Sequence, residues 1–161
     1  MKEIRLRKMS YSPGYSDMLG GYHGSLLKKN ENGDWIFVST DREQHNLPDN
    51  VTVYEVPAGA VAELEAFIAS SRRRITALSR RPKSDLFATD YSPWSCSLEY
   101  DTVSFGKPRR AEVGFSEFRR YSGKDRALIR ELIQKYKDLI RGDGRAGLNG
   151  KDSGCIHFFS R

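Results

Sequence analysis

Guanidinium groups are the most concentrated chemistry in this sequence. Arg72, Arg73, Arg74, Arg80, Arg81 and Lys83 fall between residues 72 and 83 with no acid among them. Residues 107–126 add seven basic residues against three acids, within a chain of net charge +6. Such density focuses a positive potential that suits a phosphate backbone, an acidic protein or an anionic ligand. The polyanion-binding set is Arg72, Arg73, Arg74, Arg80, Arg81, Arg109, Arg110, Arg119 and Arg120. Tyr91, Trp94 or Tyr121 would supply stacking for single strands. No zinc finger, helix-turn-helix or RNA-recognition signature accompanies them. The competing reading is a solvated arginine-rich face that maintains solubility.

A second group is aromatic. Tyr11 to Gly24 holds Tyr11, Tyr15 and Tyr22 with Gly20-Gly21, Pro13 and small polar residues. Tyrosine offers rigid amphipathic contact area, and Asp17 and His23 add polar specificity. The segment before Trp94 repeats the composition with Asp90 and Tyr91. These eight residues (Tyr11, Tyr15, Asp17, Tyr22, His23, Asp90, Tyr91 and Trp94) form the expected binding surface, suited to a protein partner. The alternative is a glycine-bearing loop whose tyrosines pack on their own sheet. If both loops lie at one sheet end, Asp17 and Asp90 approach each other. Paired carboxylates with a histidine would then support a small hydrolase.

Other motifs are weaker. The histidines are His23, His45 and His157; His45 has Asp41 and Glu43 nearby, a spacing that permits a metal without demanding one. Cys155 and His157 are two apart and share a face if extended, but apolar flanks favour ordinary packing. Gly142-x-Gly144-x-x-Gly147 matches a dinucleotide fingerprint formally. It follows a helix instead of a strand, so the match is rejected. No phosphate-loop pattern occurs. The expectation is therefore no cofactor and no metal.

The elements that must position these groups are clearer. From Asp125 to Arg141, Leu128, Ile129, Leu132, Ile133, Tyr136, Leu139 and Ile140 recur at helical spacing. A second stripe runs from about Gly59 through Val61, Leu64, Phe67, Ile68, Ile75 and Leu78, stopped by Arg80-Arg81-Pro82. Glu3–Ser10, Tyr22–Lys29, Trp35–Thr40, Val51–Val56, Ser95–Phe105 and Ala111–Phe118 read as strands. Asn32-Gly33 marks a hairpin turn, and Gly106-Lys107-Pro108 a second. Apolar groups on both faces of Trp35–Thr40 place it centrally in the sheet. A change of alternation near Asp101 suggests a bulge there. Tyr-Ser-Pro recurs at Tyr11 and Tyr91, too short to establish duplication.

The expected fold is α+β: an antiparallel-rich sheet of about five to seven strands with two amphipathic helices packed on one face. Residues 1–161 read as a single domain, with a flexible glycine-rich segment near 142–154 and a last strand or docked tail at Cys155–Phe159. Two cysteines, Cys96 and Cys155, give no disulfide framework. Charges interrupt the first eight residues, and no apolar run reaches spanning length. These features fit a soluble cytoplasmic protein that does not enter membranes. The functional expectation is a small binding or interaction domain, with nucleic-acid binding and a small hydrolase as alternatives. Oligomeric state is not encoded in any of these patterns.

Overall fold

A computed structural model describes residues 3–13, 21–44, 46–80, 94–116, 121–141 and 156–158. The glycine-rich 142–154 segment lies outside the described residues. The chain runs β1 (Ile4–Ser12), β2 (Tyr22–Lys29), β3 (Trp35–Arg42), β4 (Asp49–Glu55), α1 (Ala58–Ser79), β5 (Ser95–Ser104), β6 (Lys107–Ser116), α2 (Gly123–Asp138) and β7 (Ile156–Phe158). Six strands form an antiparallel sheet ordered β6-β5-β1-β2-β3-β4, and the three-residue β7 extends it beyond β4. β3 is interior, as its two apolar faces require.

The alternation of each strand builds one apolar ladder. Val113, Leu98, Met9, Leu27, Phe37 and Tyr54 are successive cross-strand partners, so their side chains line one face. Both helices bury their stripes on that face: Val61, Leu64, Ile68, Ile75 and Leu78 from α1, and Leu128, Ile129, Leu132, Ile133 and Tyr136 from α2. The Tyr136 ring lies 4.9 Å from that of Phe37, and its hydroxyl donates to Ser25 Oγ at 2.9 Å. Ser122 caps α2 by accepting from the Asp125 N–H at 3.3 Å. The opposite face of the sheet carries no helix among the described residues.

Two local features differ from the sequence expectation. The bulge lies in β1, not at Asp101. Leu6 pairs with Tyr100 and Lys8 with Glu99, leaving Arg7 as the extra residue. β5 itself alternates without interruption from Cys96 to Thr102 on the helix-covered face. The second turn is also displaced: Phe105 and Gly106 make it, and Lys107-Pro108 already belong to β6. Proline is tolerated there because β6 is an edge strand and needs no ladder donor on its outer side.

The bulge has a partner in α1. β1 pairs with β2 only from Lys8 to Tyr11, so the earlier residues leave β2. The Leu6 N–H, released from the ladder, donates to Glu65 Oε1 at 2.7 Å. This explains a carboxylate on the sheet-facing side of an amphipathic helix. Replacing Glu65 with leucine is expected to lower the unfolding free energy by about 1–3 kcal/mol, while glutamine retains an acceptor and most of the stability. Urea unfolding of the two variants distinguishes this bond from the packing of the side-chain stem.

Candidate functional site

The arginines of α1 occupy the arc that the sheet-facing stripe leaves to solvent. Ile75 and Leu78 point inward, so Arg73, Arg74 and Arg80 stand exposed and Arg72 is half-buried. With Ser70, Ser71, Thr76 and Ala77 they line a shallow depression of about 600 Å³. The only polar contact made by these guanidinium groups among the described residues is Arg74 Nη2 to the Lys124 carbonyl, at 3.4 Å. No described carboxylate lies within 4.0 Å of any of the four.

Basic residues on the sheet behave differently. Arg5 pairs with Glu3 at 3.2 Å, Lys8 with Glu99 at 3.4 Å and Arg42 with Asp49 at 3.7 Å. Arg7 Nε reaches both Asp101 oxygens at 2.8 Å, and this hydrogen bond with the Asp101 charge raises its pKa. Arg110 also pairs with Glu99. All but the local Arg5–Glu3 pair follow from antiparallel register, which sets side chains of neighbouring strands beside one another. A helix face has no such cross-strand partner, and α1 has no acid after Glu65 to supply one.

Sequence expectation joined the two arginine groups into one stripe. Those of them that are described line two depressions: that of α1, and one of about 450 Å³ holding Arg5, Arg7, Arg109 and Arg110 with Glu3 and Asp101. The physical reason is that 72–80 ride on a helix and 107–110 start an edge strand at a hairpin tip. Arg81, Arg119 and Arg120 lie outside the described residues. Tyr121, expected as a stacking platform, is buried against Phe115, with ring centroids 6.5 Å apart.

No known protein family, curated protein or solved structure matches this chain. The geometry must therefore speak for the site.

The aromatic group divides across the sheet. Tyr11 and Trp94 meet edge to face at 6.3 Å, half-buried against the core, with Lys137 Nζ 5.0 Å from the Tyr11 ring. Desolvation raises the Tyr11 pKa. His23 lies on the same face, but Tyr22, one residue earlier, lies on the other, because neighbours in a strand alternate. There its ring lies against Gly24, where a β-carbon would fall 2.2 Å from the Tyr22 hydroxyl. The Arg42 guanidinium lies 6.0 Å from the Tyr22 ring centre. Tyr15, Asp17, Asp90 and Tyr91 lie outside the described residues.

His23 finds a partner that spacing did not indicate. The β2–β3 register sets it opposite Asp41, and Nδ1 lies 2.6 Å from Asp41 Oδ1. Sequence had grouped Asp41 with His45, which lies outside the described residues. Both members of the His23–Asp41 pair are about half exposed, at 50% and 52%, which weakens it energetically. Among the described residues no three His, Cys, Asp or Glu side chains gather as metal ligands. The Ser12 hydroxyl donates to the His23 carbonyl at 3.0 Å.

Cys96 supplies no nucleophile either. It is buried, and burial pushes its thiol from 9.0 up to about 12. A raised folded pKa gives stability that is full below the unfolded value and declines as pH rises through about 9 to about 12. Over that window the wild type should lose about 1.4 kcal/mol per pH unit more than Cys96→Ala, read from urea midpoints at successive pH values. Equal slopes in the two proteins would refute a buried neutral thiol.

Proposed function

We propose that this α+β domain is a binding module and that its α1 arginine face holds the phosphate backbone of nucleic acid. One contrast carries the reading: Arg5, Arg7, Lys8, Arg42 and Arg110 have carboxylates beside them, whereas the clustered Arg72, Arg73, Arg74 and Arg80 have none among the described residues. Apart from the bond from Arg74 to the Lys124 carbonyl, the cluster makes no polar contact among the described residues that would account for it. The helix dipole accounts for Arg80 at the C-cap but acts only over the last turn. Among the described residues the depression has no aromatic in its lining, which favours phosphate contact over base stacking.

The test is the salt dependence of binding to a fluorescein-labelled DNA duplex, followed by anisotropy. Each phosphate contact contributes about −0.9 to the slope of log K against log salt. The R73Q/R74Q/R80Q variant should lose about 2–3 units of slope. Lys28→Gln, on the helix-free sheet face, should change it by less than about one unit. Wild-type affinity that is absent at low salt, or a slope unaltered by the triple variant, would overturn the proposal.

A second reading has its own observation. The contact of Tyr11 with Trp94, flanked by Lys137, supports a protein-binding end of the sheet. No described helix is long and apolar enough to cross a membrane. A cytoplasmic setting, in which the Cys96 thiol stays reduced, belongs to the same proposal.

A further inference from the structure

The tip of the β5–β6 hairpin is built against local preference. Its two central residues, Phe105 and Gly106, have φ of +50° and +73°. Positive values at both positions suit the twist of a two-residue hairpin, and asparagine or aspartate followed by glycine is the usual pair. A bulky side chain resists this backbone region because its β-carbon crowds the following carbonyl. The longer β2–β3 turn of the same chain reserves positive φ for a glycine, Gly33, at +84°. At position 105 the sequence accepts a strained phenylalanine instead.

No packing offsets that strain. Phe105 is 97% exposed, and nearby Val103 is 45% exposed. Cations surround them. Lys107 and Arg109 share one face of β6 and have no carboxylate within ion-pair distance among the described residues. Behind them Arg5, Arg7 and Arg110, tied to Glu3, Asp101 and Glu99, line the 450 Å³ depression with Val103 and Pro108. The hairpin therefore ends in an exposed apolar ring with cationic side chains on its flank.

We infer that the β5–β6 hairpin is a nucleic-acid contact in which Phe105 enters the base stack of a duplex while Lys107 and Arg109 hold adjacent phosphates. This rests on the nucleic-acid reading above but uses a different surface. Apolar wedges between base steps unstack and kink a duplex, and basic neighbours retain the backbone as it bends. A two-stranded ribbon is narrow enough to enter a groove. A lipid bilayer fits the tip less well. One ring and a half-exposed valine bury little area, and even a myristoyl chain gives only marginal membrane binding.

The experiment uses a short DNA duplex with 2-aminopurine at a central step, whose fluorescence rises on unstacking, alongside anisotropy for affinity. Phe105→Asn removes the ring and installs the favoured turn pair, so its thermal midpoint should equal or exceed that of the wild type. The wild type should raise the 2-aminopurine signal and bind about ten-fold more tightly than F105N. F105N should keep the wild-type salt slope, since no charge is lost. Phe105→Tyr should restore both the signal and the affinity.

Equal affinity and equal 2-aminopurine response in F105N would overturn the wedge while leaving backbone binding intact. No duplex binding by the wild type would remove both proposals. Tighter, Phe105-dependent binding to phosphatidylserine vesicles than to the duplex would overturn the wedge in favour of a membrane contact.

Discussion

Truncating Ile68 to alanine is expected to lower the unfolding free energy by about 2–5 kcal/mol. Ile68 is fully buried midway along α1, in the single apolar cluster that also contains α2 and the sheet ladder. Loss of its outer carbons removes transfer free energy and leaves a void that neighbouring elements cannot all close at once. Domains of this kind are stable by roughly 5–15 kcal/mol, so the change consumes a large fraction of the total. Phe67→Ala is the internal control. Phe67 is only half-buried, with Lys135 Nζ 5.2 Å from its ring, and its truncation should cost less despite removing more atoms. Guanidinium unfolding of both variants reads the difference. A larger loss at Phe67 than at Ile68 would mean that α1 presents a different face to the sheet.

The pairing around Glu99 should produce an asymmetric mutational response. Glu99 is 7% exposed and bridges Lys8 and Arg110, which are 57% and 62% exposed. Removing both cations deprives the carboxylate of its charged partners, although truncating them on the helix-free face also admits water to it. The K8A/R110A variant is expected to lose about 1–3 kcal/mol, the cost of leaving a partly shielded acceptor unpaired. Glu99→Gln strands only two exposed cations, which water solvates, and should cost about 1 kcal/mol or less. Denaturant midpoints of the three proteins at neutral pH measure the asymmetry. Equal losses on the two sides would show that Glu99 is hydrated.

These expectations bear on the functional reading because they separate structural basic residues from available ones. Arg110 and Lys8 are the charge partners of Glu99, and Arg7 is held by Asp101. Substituting them would confound binding with stability. Arg73, Lys107 and Arg109 have no such partner among the described residues, and Arg74 makes only a long bond to the Lys124 carbonyl, so their removal disturbs stability less.

Both helices could be read before any coordinates because their 3.6-residue periodicity is local: Val61 to Leu78 and Leu128 to Leu139 bury the residues that the spacing selects. The β2–β3 hairpin was equally plain, since Asn-Gly encodes its own turn. The α+β class followed from amphipathic helices that need an apolar sheet face. Tertiary structure alone decided that β1 lies between β2 and β5, that its bulge frees the Leu6 N–H for Glu65, and that His23 faces Asp41. Each depends on register between strands far apart in the chain, which composition and period do not specify. The turn at Phe105 was misplaced for a related reason: propensity favours the Gly106–Pro108 segment, and pairing across β5 and β6 overrides it. Clustered arginines are likewise visible as charge in the chain, but their neutralisation is a matter of neighbours in space. Among the described residues the fold set carboxylates beside Arg7, Lys8, Arg42 and Arg110 and none beside the α1 arginines, because strands bring distant residues into register whereas the exposed arc of a helix is lined mainly by its own sequence.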